Sequence, residues 1–168
     1  MGKVADTKME KKTTCKFNKV SAKSKALRIF LTKYGDDLPP EVIQKAASPS
    51  QLKHWALACE NDTEIVSVAR WETADWYLCT LKNAATRPDK RGKGYGSKVY
   101  TDAVHKALDH PECLVMTADV TYDNTPSKKI LKKLGFKPVN KFCWDSRAKP
   151  ADIMHYVRAI PKNNKCDI

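Results

Sequence analysis

Residues 91–97 read Arg91-Gly92-Lys93-Gly94-Tyr95-Gly96-Ser97, and they join an apolar strand-like run to a helical pattern. Glycines let a backbone approach a ligand closely, and a helix that follows aims unpaired N–H groups and a partial positive charge at an anion. The junction therefore predicts phosphate binding, with Lys90, Arg91, Lys93 and Lys98 adding charge of the right sign. Its spacing is G-x-G-x-G, and Ser97 stands where a dinucleotide fingerprint needs its last glycine. No G-x-x-x-x-G-K-[ST] loop occurs either. By itself a basic glycine turn reads equally well as a surface turn with solvated lysines.

A second segment agrees with the phosphate reading. In Asn124-Thr-Pro-Ser-Lys-Lys-Ile-Leu-Lys-Lys-Leu-Gly135-Phe136, Asn124 or Thr125 can cap a helix, Pro126 fits its first turn, and Gly135 can end it. With both segments in view the chain resembles the GNAT superfamily of acetyl-CoA-dependent N-acetyltransferases. Arg91, Gly94 and Gly96 match the family's R/Q-x-x-G-x-G/A motif, and Asn124, Ser127, Gly135 and Phe136 match its later helix. The resemblance spans residues 13–161. It implies an α/β (α+β) GNAT fold, a mixed and mostly antiparallel sheet of six to seven strands flanked by about four helices.

The periodicities support that element order. Residues 13–20 predict a first strand. Leu27, Phe30, Leu31 and Tyr34 mark an amphipathic helix over 22–34 with Gly35 as its stop, and a short helix over 41–47 follows. Strands are expected at 54–60, 64–73 and 76–86, joined by turns at Asn61-Asp62-Thr63 and Ala74-Asp75. Then come a helix over 97–109, a strand over 113–121, the short helix to Leu134, and a closing pair at 136–145 and 151–160. Residues 1–12 form a flexible lysine-rich segment ahead of a single domain over 13–168.

Composition narrows the function classes. The chain holds 31 Lys and Arg against 19 acids, a formal charge of +12. Residues 1–25 hold eight lysines and only two acids, half of that excess, which reads as a solvated tail or as an attraction for nucleic acid or acidic protein. Lys128, Lys129, Lys132, Lys133, Lys137 and Lys141 form a second cluster. Six cysteines without a C-x-x-C pair read as reduced, buried thiols of a cytoplasmic protein. No run is long enough to span a membrane, no signal peptide is evident, and no His/Cys/Asp/Glu cluster has metal spacing.

The resemblance also assigns roles. Ala85 and Thr86 would contact pantetheine, residues 91–97 (Arg91, Gly92, Lys93, Gly94, Tyr95, Gly96 and Ser97) would hold the pyrophosphate, and Asn124 and Ser127 would lie beside the thioester and the coenzyme arm. Family members acting on lysine often carry a carboxylate on the strand before the glycine loop, and this chain has none between Trp76 and Thr86. Glu72 or Asp75 acting through water is the candidate base, with Asp119 on a neighbouring strand; Asp75 reads as well as a turn residue and Glu72 as a solvated strand residue. Leu131 occupies the position of the tyrosine that commonly serves as general acid. Tyr122 is the candidate substitute, ahead of Tyr100. His54 and His155 read as structural or surface histidines ahead of a general base.

The expected reaction is acetyl transfer from acetyl-CoA to a primary amine on an acidic macromolecule, either a protein amine or an aminoacyl-RNA. The alternative is a lapsed enzyme that binds nucleic acid or an acidic protein through its basic surface.

Overall fold

A computed structural model describes residues 14–35, 38–144 and 151–159. The lysine-rich residues 1–12 and Cys166 lie outside them. The described elements run α1 (Val20–Tyr34), α2 (Pro40–Ala46), β1 (Trp55–Glu60), β2 (Glu64–Asp75), β3 (Leu78–Thr86), α3 (Tyr95–Leu108), β4 (Val115–Thr121), α4 (Thr125–Lys133), β5 (Lys137–Trp144) and β6 (Ala151–Ala159). Short 3-10 turns precede β1 and follow β3. The six strands form one sheet in the order β1-β2-β3-β4-β6-β5. β1 and β2 are antiparallel, β3 and β4 are parallel, and β6 is antiparallel to both β4 and β5. This is the mixed sheet expected, with six strands. Contacts group the chain into two compact units, residues 1–70 with 83–103 and residues 71–82 with 104–168.

In the first unit, Leu27, Phe30 and Leu31 of α1 are buried with Ile43 and Ala46 of α2 and with Leu52, Trp55, Cys59, Ile65 and Val68. The i, i+3, i+4 stripe that predicted α1 is thus its core face. Carbonyls at the C-terminal end of α2, which a helix leaves without intrahelical partners, take side-chain donors. The Trp55 indole N–H donates to Ala46 O at 2.8 Å, and the Ser24 hydroxyl donates to Ala47 O at 2.5 Å. Asn61 and Asp62 both adopt positive φ, +50° and +65°, in the β1–β2 turn, as expected of residues that tolerate the left-handed region.

Two expectations fail here. Among the described residues no strand precedes α1: residues 14–17 are irregular, and the Lys16 N–H makes one bond to Asp62 O at 2.7 Å where a strand would make a ladder. Nor are all the cysteines reduced. Cys15 and Cys59 are joined by a disulfide with Cα atoms 5.0 Å apart, while Cys79 and Cys113 are buried thiols and Cys143 is an exposed one. The reason is tertiary, because Phe17 packs against the core and carries Cys15 to the end of β1. The argument for a reducing compartment loses two of its six thiols.

Closing a loop with a separation of 44 residues removes chain entropy from the unfolded state, worth on the order of 4 kcal/mol. Reduction, or Cys15→Ser, should therefore lower unfolding free energy by about 2–4 kcal/mol in a urea titration.

In the second unit, Met116, Ala118 and Val120 of β4 are buried while Thr117, Asp119 and Thr121 point to the other face. Tyr156 of β6, the cross-strand partner of Ala118, is buried as well, together with Leu131 of α4 and Phe136. No helix among the described residues is long and apolar enough to cross a membrane.

Candidate acetyl-coenzyme A site

In the first unit the glycine turn has the backbone its sequence demands. Gly92 and Gly94 take φ of +74° and +85°, a region that costs an ordinary residue 1–3 kcal/mol. Lys98 N–H donates to Gly94 O at 3.1 Å, the first bond of α3, so the N–H groups of Tyr95, Gly96 and Ser97 precede the helical ladder. A Cβ on Gly92 would meet no atom within 4 Å, leaving the turn open on that side. Arg91 stays beside the end of β3, its Nε 3.4 Å from Thr86 O.

The turn is anchored by ion pairs that the sequence did not announce. Arg87 N–H bonds Val66 O at 2.9 Å, and its guanidinium holds Asp89 at 2.8 and 2.7 Å and also Glu64. Glu60, at the end of β1, takes Lys90 at 2.5 Å and accepts from the Tyr95 hydroxyl at 3.4 Å. Hydrogen bonding to Lys90 holds the Glu60 carboxyl below its usual range, and hydrogen bonding to Glu60 raises Lys90. Burial, then the charge of Glu60, pushes the Tyr95 hydroxyl up. Lys98 is paired with Asp102 at 3.1 Å. Of the four cations expected to serve the phosphates, Lys90 and Lys98 are thus engaged by carboxylates. Arg91 and Lys93 form no ion pair among the described residues.

The Asp89 carboxyl is lowered to about 2, first by its hydrogen bond to Arg87, from an ordinary value of 3.8. A depressed carboxyl stabilises the fold above its unfolded value, and that stabilisation is lost as pH falls toward the folded one. The turn should loosen between pH 3.8 and about 2. Thermal unfolding followed across that window should fall less steeply in Asp89→Asn than in wild type.

Strand β3 changes character along its length. Its residues Leu78 to Leu81 pair with Val115 to Ala118, and the pairing ends there although β3 continues to Thr86. Asn83 follows with φ +49°, a bulge-like kink. Ala85 and Thr86 are held from the β2 side: the Ser67 hydroxyl bonds Ala85 O at 3.2 Å and the Thr86 hydroxyl at 2.7 Å. Asn83, Ala84 and Ala85 line a small pocket with Leu31, Gly35 and Leu38.

In the second unit, Asn124 caps α4 as predicted, its Oδ1 accepting the Ser127 N–H at 3.2 Å, and Gly135 has φ +83°. Glu72 is paired with Lys82. Asp75 Oδ1 accepts the Trp76 N–H at 2.7 Å, a turn role. Tyr122 is 48% exposed, and Lys128 and Lys141 place ammonium groups 4.2 and 4.3 Å from its ring centre. Leu131 is fully buried. Asp119 and His155 are hydrogen-bonded at 2.6 Å, an association that the sequence reading missed. Among the described residues no cluster could hold a metal ion.

A sequence profile described as the Acetyltransferase (GNAT) family matches residues 22–136. The chain belongs to this family. Its fold recurs in yncA of Salmonella typhimurium, solved with its cofactor acetyl-CoA: TM-score 0.68, 15% identity, 92% of this chain and 98% of that one covered. It recurs in the ribosomal-protein-alanine N-acetyltransferase of Brucella melitensis, with TM-score 0.67, 12% identity, and coverage of 86% and 98%. It recurs again in Arabidopsis thaliana NAA60 bound to a bisubstrate analogue, with TM-score 0.65, 13% identity, and coverage of 84% and 95%. No curated protein sequence matches the chain. GNAT proteins are acetyltransferases that draw on acetyl-CoA, so this protein is an enzyme of that class. Its glycine turn fits such a donor, with two positive-φ glycines, three N–H groups ahead of the helical ladder, and Arg91 close by.

Proposed function

We propose that the protein transfers the acetyl group of acetyl-CoA to a primary amine of a macromolecule, a protein amine or an aminoacyl group on RNA. The observation that carries this is the Gly92–Gly96 turn, whose N–H groups are aimed out of the α3 terminus. The backbone of 92–97 and Arg91 would bind the pyrophosphate. Ala85 and Thr86 would bind pantetheine along the stretch of β3 beyond its last pairing with β4. Asn124 and Ser127 would contact the coenzyme from the start of α4. When bound, acetyl-CoA supplies an activated acyl group, and the chain must orient the acceptor and take its proton.

An acidic acceptor is favoured by charge, since a net +12 repels small polyamines. One neighbour in fold bears on acceptor size, being named as a ribosomal-protein-alanine N-acetyltransferase. A low-pKa amine suits this site better than lysine. Deprotonating a lysine at pH 7 costs about 4.6 kcal/mol, and an α-amine only about 1 kcal/mol. Tyr122 remains the candidate acid, and Glu72 or Asp75 the candidate water-mediated base, although Lys82 and the Trp76 N–H compete for those carboxylates.

The test pairs calorimetric titration of acetyl-CoA with mass spectrometry of two peptides, one with a free α-amine and no lysine, the other N-blocked with one lysine. Micromolar binding with acetylation of the α-amine peptide is the expected result. A folded protein that binds no acetyl-CoA would leave only a recognition role for the basic surface.

A further inference from the structure

Three polar pairs cross the second unit on one face of its sheet. Glu72 of β2 is joined to Lys82 of β3, Thr80 of β3 to Thr117 of β4 at 3.0 Å, and Asp119 of β4 to His155 of β6 at 2.6 Å. The residues alternating with them, Cys79, Leu81, Met116, Ala118 and Tyr156, are buried on the reverse face. Of the three pairs, the first is an ion pair that needs its own charges and the second lacks a strong base. The third is different. A carboxylate only accepts, so the bond to Asp119 requires the proton on His155 Nδ1, and in the neutral ring this leaves the lone pair on Nε2. Nε2 has no hydrogen-bond partner among the described residues, and the side chain keeps 29% of its surface accessible.

Position supports use of that lone pair. Asp119 comes one residue after Ala118, where the parallel pairing of β4 with β3 stops. The chain also needs a base, because its other candidates have competing partners: Lys82 for Glu72, the Trp76 N–H for Asp75. We infer that His155 is the general base that deprotonates the acceptor amine, with Asp119 as the positioning residue that fixes its tautomer. This rests on the acetyltransferase reading above. In the step, an N–H bond of the acceptor ammonium breaks and its proton passes to Nε2. The freed nitrogen lone pair forms the bond to the acetyl carbon as the C–S bond breaks, and the sulfur leaves with the C–S electron pair. The new N–C bond leaves two protons on nitrogen; one passes to the leaving sulfur, giving the neutral amide and the coenzyme thiol, and the imidazolium releases the proton it took to water, which restores the base.

The groups that set the local charge are few. On the dyad's face, β5 presents Asn140 opposite His155 and Lys137 opposite Val157, and β3 and β2 present the mutually neutralised Lys82 and Glu72. Lys141 and Asp152 pair with each other, and their cross-strand positions, beside Met154 and Cys143, put them on the reverse face.

The test uses His155→Gln and Asp119→Asn in the full chain, with acetyl-CoA calorimetry, the pH profile of kcat/KM on the α-amine peptide, and nitrogen-15 NMR of labelled histidine. His155→Gln should bind acetyl-CoA like wild type, lose about 10²-fold in kcat/KM, and keep an acidic limb only where the peptide's own α-amine deprotonates, at about 7.8. In wild type the limb should coincide with the His155 titration seen by NMR. Asp119→Asn should lower kcat/KM and change the tautomer. A His155→Gln enzyme within threefold of wild type, or with its acidic limb unmoved from the wild-type position, overturns the assignment while leaving the acetyltransferase standing. An unchanged tautomer in Asp119→Asn removes the positioning role. Failure of wild type to bind acetyl-CoA sinks the parent reading, and this one with it.

Discussion

Gly94→Asp should abolish measurable acetyl-CoA binding, with a loss of at least 10²-fold in Kd by calorimetry and no loss of the folded state. Two effects add. Gly94 holds φ +85°, where a side chain costs 1–3 kcal/mol, although aspartate tolerates this region better than most residues. The larger effect is charge. A carboxylate about 4 Å from a phosphate oxygen, at an effective dielectric near 20, opposes binding by about 4 kcal/mol. That exceeds the 0.3–1 kcal/mol from any one helix-terminal donor, so it overrides the cradle of Tyr95, Gly96 and Ser97 N–H groups. Gly92→Ala is the informative contrast. It shares the positive φ, but its Cβ would have no neighbour within 4 Å and no charge. It should weaken binding by tenfold at most, through backbone strain alone. Equal losses in the two variants would mean that the turn acts through its shape and that the phosphates lie elsewhere.

What could be read in the residues was mostly local. Leu27, Phe30 and Leu31 mark α1 by spacing alone, and Asn124 with Gly135 brackets α4, because caps and stripes are set within a few residues. The glycine turn was legible for the same reason. What escaped depends on register. Asp119 meets His155 across a separation of 36 residues, a pairing decided by how β6 slides along β4. Glu60 reaches Lys90 and Tyr95 only because the β1–β2 hairpin ends there. Cys15 lies in a segment that reads locally as a strand, and nothing in it points to Cys59. Asn83 did carry a signal: asparagine is depleted in strands and tolerates positive φ, which is what a kink past the last β3–β4 pair requires.

Trp55→Ala should be the most destabilising single change, by about 3–5 kcal/mol in urea denaturation, a large part of a typical domain's stability. Trp55 is fully buried at the start of β1, among Leu27, Phe30, Leu31, Ile43 and Leu52 of the core cluster. Truncation removes its indole volume and also the N–H that satisfies Ala46 O at 2.8 Å. An orphaned buried carbonyl adds about 1–3 kcal/mol where water cannot reach it. The Arg70 guanidinium, 5.9 Å from the ring centre, loses a cation–π contact as well. Trp55→Phe separates these contributions, since it keeps most of the apolar volume and removes the donor; it should cost roughly half as much. The consequence reaches the glycine turn through β1, whose other end carries Glu60. Saturating acetyl-CoA should therefore raise the Tm of Trp55→Ala as it does that of wild type, because binding draws on the native state that remains. A loss below about 1 kcal/mol in Trp55→Ala would mean that α1 and α2 are held to the sheet by something other than this wedge.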